Sequence, residues 1–318
     1  IYTNIGEQHL QFEGNEFLFE FDERIRVENL YSEFYLSPPI NSPIEYSLKG
    51  SRLGVKISDT LKENTTYSLS LGSSISDLNE GNPMDPFDIC FSTGNFLDSL
   101  TLSGKINDAL TNEPKKEVWA LLYIYSVNMS DSLLMKQKAD YITKTNKEGL
   151  FHFKSLKEGN YMLYALEDLD KNLKFSIPSE SVGFYPQSIS VPTDVKIQIK
   201  TFQEDFLEDS IIYLKRDSLE NFGFLQVDSL PKGNMLVELL ANDKVVFQKQ
   251  NCSGSFFIDS LNVGAYKLRL IKDSNQNNKW DSGKIIDKRQ AEEAFYYSEE
   301  IQIRDNWDLI LNWQKLNE

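Results

Sequence analysis

Apolar and polar residues alternate along much of this chain with a period of two, the pattern of strands that bury one face and wet the other. Phe17, Phe19 and Phe21 share one face of a strand whose other face carries Glu16, Glu20 and Asp22. The same alternation groups Leu53, Val55 and Ile57, then Tyr67, Leu69 and Leu71, then Phe87, Ile89 and Phe91. Turn-forming clusters separate these runs, among them Ser37-Pro38-Pro39 and Asn79-Glu80-Gly81-Asn82-Pro83. Residues 1–95 therefore read as a sandwich of about seven short strands.

Further along, the pattern repeats itself. The segment GLFHFKSLKEGNYMLYALEDLDKN (149–172) returns without a gap as GSFFIDSLNVGAYKLRLIKDSNQN (254–277). Gly149, Phe151, Leu156, Gly159, Tyr161, Leu163, Asp168 and Asn172 match Gly254, Phe256, Leu261, Gly264, Tyr266, Leu268, Asp273 and Asn277. Two copies of one β-unit follow. Each reads as an antiparallel hairpin, with a strand, a Gly turn, a second strand and an Asp/Asn-rich loop. Near the end, RQAEEAF (289–295) suggests a short helix followed by an exposed Tyr296–Tyr297 patch. Trp307, Leu309, Leu311 and Trp313 then alternate as one core face of a last strand.

The composition narrows the function classes. A chain of 318 residues, 40% apolar, can bury two or three cores. A formal charge of -15 argues against nucleic acid as partner, since phosphate backbones call for a concentrated Lys/Arg face. No apolar run is long enough to span a bilayer as a helix. Residue 1 is Ile, so a signal peptide or lipid-bearing cysteine upstream is compatible with the sequence. Cys90 and Cys252 fall in separate candidate domains and are expected to be unpaired thiols.

Chemistry-bearing patterns are few. The loop from Asp273 to Asp281 sets Asp273, Asn275, Asn277 and Asp281 at the alternating positions from which calcium loops draw ligands, with the backbone carbonyl of Lys279 as a fifth oxygen. It departs from an EF-hand where Asn278 replaces Gly and Lys284 replaces Glu, and its alternative is a polar loop in which Asx side chains cap their own backbone. The paired loop of Asp168, Asp170 and Asn172 has Ser176 in place of Asp281 and two flanking lysines, so a turn without metal is expected there. The two histidines, His9 and His152, lack a nucleophile elbow or partner segment, and His152 should face away from Phe151 and Phe153. No catalytic residue and no cofactor other than calcium are expected.

One short motif is over-represented. Asp, then Ser or Thr, then Leu or Ile occurs seven times, where average usage predicts about one or two. It resembles the acceptor motif of the general O-glycosylation system of Bacteroidota. That likeness marks Thr60, Ser99, Ser132, Ser210, Ser218 and Ser229 as candidate sites, while Ser260 sits inside the repeat, where folding accounts for it.

Longer segments carry a family resemblance. FEFDERIRVEN, LKENTTYSLSLGSSISDLNEGNPM and FDICFSTG resemble the bacterial Ig-like domain of the S-layer SbsA type. LSGKINDALTNEPKKEVWALLYIY and TKTNKEGLFHFKSLKEGNYMLYALED resemble the prealbumin-like, carboxypeptidase-regulatory-like module, and the third domain is a divergent copy of it. The order is similar to that of exported Bacteroidota lipoproteins. The resemblance implies an all-β protein of three tandem β-sandwich domains: Ig-like at 1–95, then prealbumin-like at 96–204 and 205–318. It further implies a lipid anchor in the outer membrane, on its periplasmic or cell-surface face. The expected role is non-catalytic, as an interaction or scaffold subunit of an outer-membrane protein complex, for instance one that assembles or exports envelope proteins. The alternatives are a carbohydrate-binding or adhesive module of a surface nutrient-uptake system and, third, an accessory fragment of a larger enzyme.

Overall fold

The computed structural model describes residues 1–5, 8–82, 84, 87–127, 129, 132–204 and 221–313. The chain is all-β, its only helices among the described residues being the single turns Leu30–Glu33 and Leu133–Lys136. It packs as two compact units, one of residues 1–106 with 114–199 and one of 107–113 with 200–318.

The first unit holds two sandwiches. In the first, one sheet runs in the order Tyr2–Thr3, Glu16–Glu20, Arg52–Lys56, Glu45–Lys49, and the facing sheet runs Gln8–His9, Asp88–Ser92, Thr66–Ser70, Tyr35–Ser37. The alternation read from the sequence is what fills the gap between them. Phe17, Phe19, Leu53, Val55, Ile57, Leu69, Leu71 and Phe91 are all buried, and Phe12 stacks on Phe17 at 5.5 Å. In the second sandwich, Leu150–Leu156, Leu100–Asp108 and Ile197–Thr201 form one sheet, and Tyr141–Lys144, Trp119–Ile124, Gly159–Leu166 and Val182–Phe184 form the other.

The two sandwiches of this unit are fastened side to side. The buried N–H of Ile142 donates to Ser37 Oγ at 3.0 Å, and Lys144 Nζ donates to the Ser32 carbonyl at 2.9 Å. Lys154 pairs with Asp88 at 3.0 Å, and Tyr35 meets Trp119 edge to face at 5.2 Å.

The second unit repeats this architecture. Ser255–Asn262, Phe222–Asp228 and the parallel strand Asp308–Asn312 make one sheet; Lys244–Cys252, Met235–Ala241, Gly264–Lys272 and Ala294–Tyr296 make the other. Both cysteines are free thiols, Cys252 buried with its pKa pushed up by that burial.

Four local expectations are corrected. The strand–Gly–strand repeat is not a hairpin: Leu150–Leu156 and Gly159–Leu166 belong to facing sheets, as do Ser255–Asn262 and Gly264–Lys272. A tyrosine fixes each crossing, because Tyr161 OH donates to the Lys157 carbonyl at 2.8 Å and Tyr266 OH to the Asn262 carbonyl at 3.0 Å, the same bond at the same place in both copies. Residues 289–295 are not helical. Ala294–Tyr296 pairs with Arg269, Leu270 and Ile271, and Glu292 is held by Trp280, so ladder bonds override helix propensity. Tyr296 and Tyr297 form no exposed patch, since Tyr296 takes a hydrogen bond from Arg269 and Tyr297 packs on Trp313. Leu309 and Leu311 of the last strand pack against the core and Trp313 just after it is buried, but Trp307 just before it stays exposed beneath the Arg304 guanidinium.

Candidate metal centres

The two Asp/Asn loops begin where a core strand of each copy ends, so their first carboxylates sit at the sandwich rim. Asp273 is buried and its oxygens accept the backbone N–H groups of Asn277 (3.1 Å) and Asn278 (2.9 Å). Asp168 does the same for Asn172 (3.1 Å) and Leu173 (2.9 Å). The match continues along the loop. Asn277 Oδ1 accepts the N–H of Lys279 just as Asn172 Oδ1 accepts that of Lys174. These are Asx turns in series, in which each side chain caps backbone N–H groups further along its own loop.

Each loop is closed by a glutamate that the sequence reading missed. Glu180, with no exposed surface, accepts the N–H groups of Leu169 and Ser176, both at 3.1 Å. Glu292 accepts those of Ser274 at 2.7 Å and Asp281 at 3.3 Å, the corresponding positions of the repeat. The only signal was topological. Each glutamate precedes the strand that pairs next to the loop's own strand, but the connection is longer in the second copy, so a constant offset does not align the pair.

Carboxylates converge most closely in the loop the sequence reading ranked lower. Carboxylate oxygens of Asp168, Asp170 and Glu180 lie within 4.8 Å of one another. Burial pushes the Asp168 carboxyl up, with Asp170 and Glu180 adding to the rise; the Ser176 hydroxyl holds Asp170 down. In the other loop, Asn275 stands in place of Asp170. Asn275 Nδ2 donates to Asp281 Oδ2 at 2.5 Å and Asn277 Nδ2 does so at 2.8 Å, so both amides turn their N–H groups to Asp281 within the loop. Burial raises the Glu292 pKa, and the neighbouring Asp281 and Asp273 charges raise it further. Asp273, Asn275, Asn277, the Lys279 carbonyl and Asp281 thus lie on one loop, and a hard cation would require both amides to rotate their oxygens inward.

The other candidates separate. Thr60 and Ser99 are exposed, Ser132 and Ser229 are half-buried, and Ser210 and Ser218 lie outside the described residues. The aspartate preceding Thr60 has work of its own: Asp59 accepts the N–H groups of Asn41 and Ser42, and the Ser42 hydroxyl, followed by these backbone bonds, holds its carboxyl below the usual range. His152 is exposed, opposite the buried Phe151 and Phe153, and its Nδ1 lies 2.6 Å from Ser103 Oγ. Asp88, the nearby carboxylate, is engaged by Lys154 instead of the imidazole, and burial and Lys154 both lower the His152 pKa. A cleft of about 730 Å³ in the first unit brings this pair together with Lys105, Lys144 and Lys196.

Residues 3–93 match the family described as a bacterial Ig-like domain. No curated protein matches the sequence. Among solved structures, the N-terminal part of the bacterial S-layer protein SbsC is similar at 13% identity and a TM-score of 0.20, over 61% of this chain and 42% of that one. GBS52, the minor pilin of Streptococcus agalactiae, is similar at 15% identity and a TM-score of 0.22, over 67% and 94% of the two chains. BcpA, the major pilin subunit of Bacillus cereus, shows 9% identity and a TM-score of 0.21, over 62% and 67%. This chain thus spans less than half of the S-layer fragment, and superpositions this loose carry no argument about function.

Proposed function

We propose that this chain, whose residues 3–93 are a bacterial Ig-like domain, is a non-catalytic scaffold of the cell envelope. In this reading it is a subunit of an outer-membrane protein complex, held at the membrane by an N-terminal lipid. The observation that carries the scaffold reading is the fastening of the Ig-like sandwich to its neighbour. A buried backbone-to-side-chain bond from Ile142 to Ser37, the Lys154–Asp88 pair and the Tyr35–Trp119 contact are spread across one junction. Such a junction presents loops of both sandwiches in fixed register, as a multi-point docking partner requires. Beside the Ser103–His152 pair, the carboxylate of Asp88 is engaged by Lys154.

Outer-membrane attachment rests on the family resemblance. Among the described residues no helix is long and apolar enough to cross a membrane. Modification of the exposed hydroxyls Thr60 and Ser99 belongs to the same reading. The test is purification of the tagged protein from its native membranes in mild detergent. A stoichiometric membrane-protein partner is expected. Recovery of the chain alone, together with binding to a glycan array, would overturn the reading in favour of a carbohydrate-binding module.

A further inference from the structure

We propose that the edge strand Glu45–Lys49 is a self-pairing surface, and that a second copy of this chain docks on it antiparallel about a two-fold axis through Ser47.

This strand ends its sheet, pairing only with Arg52–Lys56, and all five of its residues are exposed. The register of that pairing, Glu45 with Lys56, Ser47 with Gly54 and Lys49 with Arg52, runs without a bulge into a two-residue turn at Gly50 and Ser51, with Gly50 at φ +68. A two-residue hairpin makes its closing pair a hydrogen-bonded one, and hydrogen-bonded pairs recur at every second residue. Glu45, Ser47 and Lys49 therefore turn their N–H and C=O groups inward to Arg52–Lys56. Tyr46 and Leu48 turn theirs outward to the open edge, where only an extended backbone has donors and acceptors at matching intervals.

The side chains decide which extended backbone. Charged residues at both ends of an edge strand ordinarily repel a foreign strand. Here the two ends have opposite signs, so antiparallel pairing of the strand with itself sets Glu45 against the Lys49 of the second copy, twice by symmetry. In the same register Tyr46 faces the second copy's Leu48 as the hydrogen-bonded pair, giving four backbone bonds. Parallel self-pairing would set Glu45 beside Glu45 and Lys49 beside Lys49, so it is excluded by charge. Tyr46 and Leu48 are each 39% exposed, and Tyr31, 68% exposed, meets Tyr46 edge to face at 5.3 Å, which extends the apolar side of the seam. On the other face Ser47 lies in a row with Gly54 and Leu18, and the absence of a side chain at Gly54 keeps the surface flat at the axis.

A five-residue ladder spans about 17 Å. A seam that short buries less surface than a standard interface, so pairing is weak in dilute solution and is favoured where copies are concentrated on a surface.

Sedimentation equilibrium of the whole chain up to about 1 mM is expected to show a monomer–dimer equilibrium. K49E places carboxylates at both ends of the seam and should weaken it by about tenfold or more, since like charges directly opposite are destabilising. The same change sets a carboxylate against Arg52 within the hairpin, so it does not endanger folding. The swap E45K/K49E should restore pairing. Amide exchange should show new protection at Tyr46 and Leu48 as concentration rises, with Ser47 protected at all concentrations. A monomer throughout, a dimer indifferent to K49E, or a swap that fails to rescue would each overturn the proposal.

Discussion

Replacing one member of the buried Glu238–Arg269 pair should cost the second unit more than replacing both. Glu238 is fully buried and the Arg269 side chain is 6% exposed, with the guanidinium 2.6 Å from Glu238 Oε2. The pair is also held at its ends: Arg269 donates to Tyr296 OH at 3.1 Å, and Gln248 donates to Glu238 Oε1 at 3.2 Å. Glu238→Leu leaves a guanidinium that cannot lose its proton inside the fold, at a cost of about 3–5 kcal/mol. Arg269→Met leaves a carboxylate, which escapes by taking up a proton, so its penalty is smaller and shrinks as pH falls. The double variant restores neutrality and should fall within about 1 kcal/mol of the parent or exceed it in stability. Denaturant unfolding read by tryptophan fluorescence suits this case, because Trp280, Trp307 and Trp313 all lie in this unit and Trp280 and Trp313 are buried. If Glu238→Leu costs under about 1 kcal/mol, or if the double variant is as unstable as that single one, the two charges do not compensate each other inside the fold.

Other measurements bear on the loops and the packing. Asp273→Ala strips the N–H of Asn278 of its acceptor and leaves that of Asn277 with Asn275 Oδ1 alone, and should cost about 1–3 kcal/mol even in chelator; a calcium-dependent rise in melting temperature that this change or Asp168→Ala abolishes would add a metal role. Burial holds the Glu292 carboxyl above its unfolded pKa, so its stabilising contribution is present below that unfolded value and lost as pH rises through the folded one; Glu292→Gln should flatten that part of the stability–pH profile measured by denaturation. Gly104→Ala would place a methyl 2.5 Å from the Phe151 ring and 2.7 Å from the Ile197 carbonyl, and should lower stability by about 1–3 kcal/mol in thermal unfolding. Alkylation of the unreduced, denatured chain followed by mass spectrometry should label both Cys90 and Cys252.

Strand positions were legible because a half-buried strand imposes its period on the sequence, and Phe17, Val55 and Leu69 announce their sheets directly. Which sheet a strand joins is not a periodic property. Phe151 and Tyr161 alternate the same way whether their strands pair as neighbours or cross between sheets, and it is the Tyr161 hydroxyl on the Lys157 carbonyl that fixes the crossing. The loop carboxylates Asp168 and Asp273 were legible through the repeat. Glu180 and Glu292 were not, since they reach the loop from the far side of a connection whose length differs between copies. Glu238 was hidden for another reason: it sits in MLVELLA among residues buried on both faces, where a charge has no periodic place and its partner Arg269 is on a different strand.

The bond from Ile142 to Ser37 has a consequence for dissection and inheritance. A fragment begun after the Ig-like sandwich would uncover the strand Tyr141–Lys144 and the indole of Trp119, and would leave the Ile142 N–H to water in place of Ser37 Oγ. Expression of the second sandwich by itself would invite aggregation along that uncovered edge. By the same reasoning, exchange of either module alone would remove these contacts. A serine in one has become part of the backbone accounting of the other, and recombination between them would have to replace both sides of the seam at once.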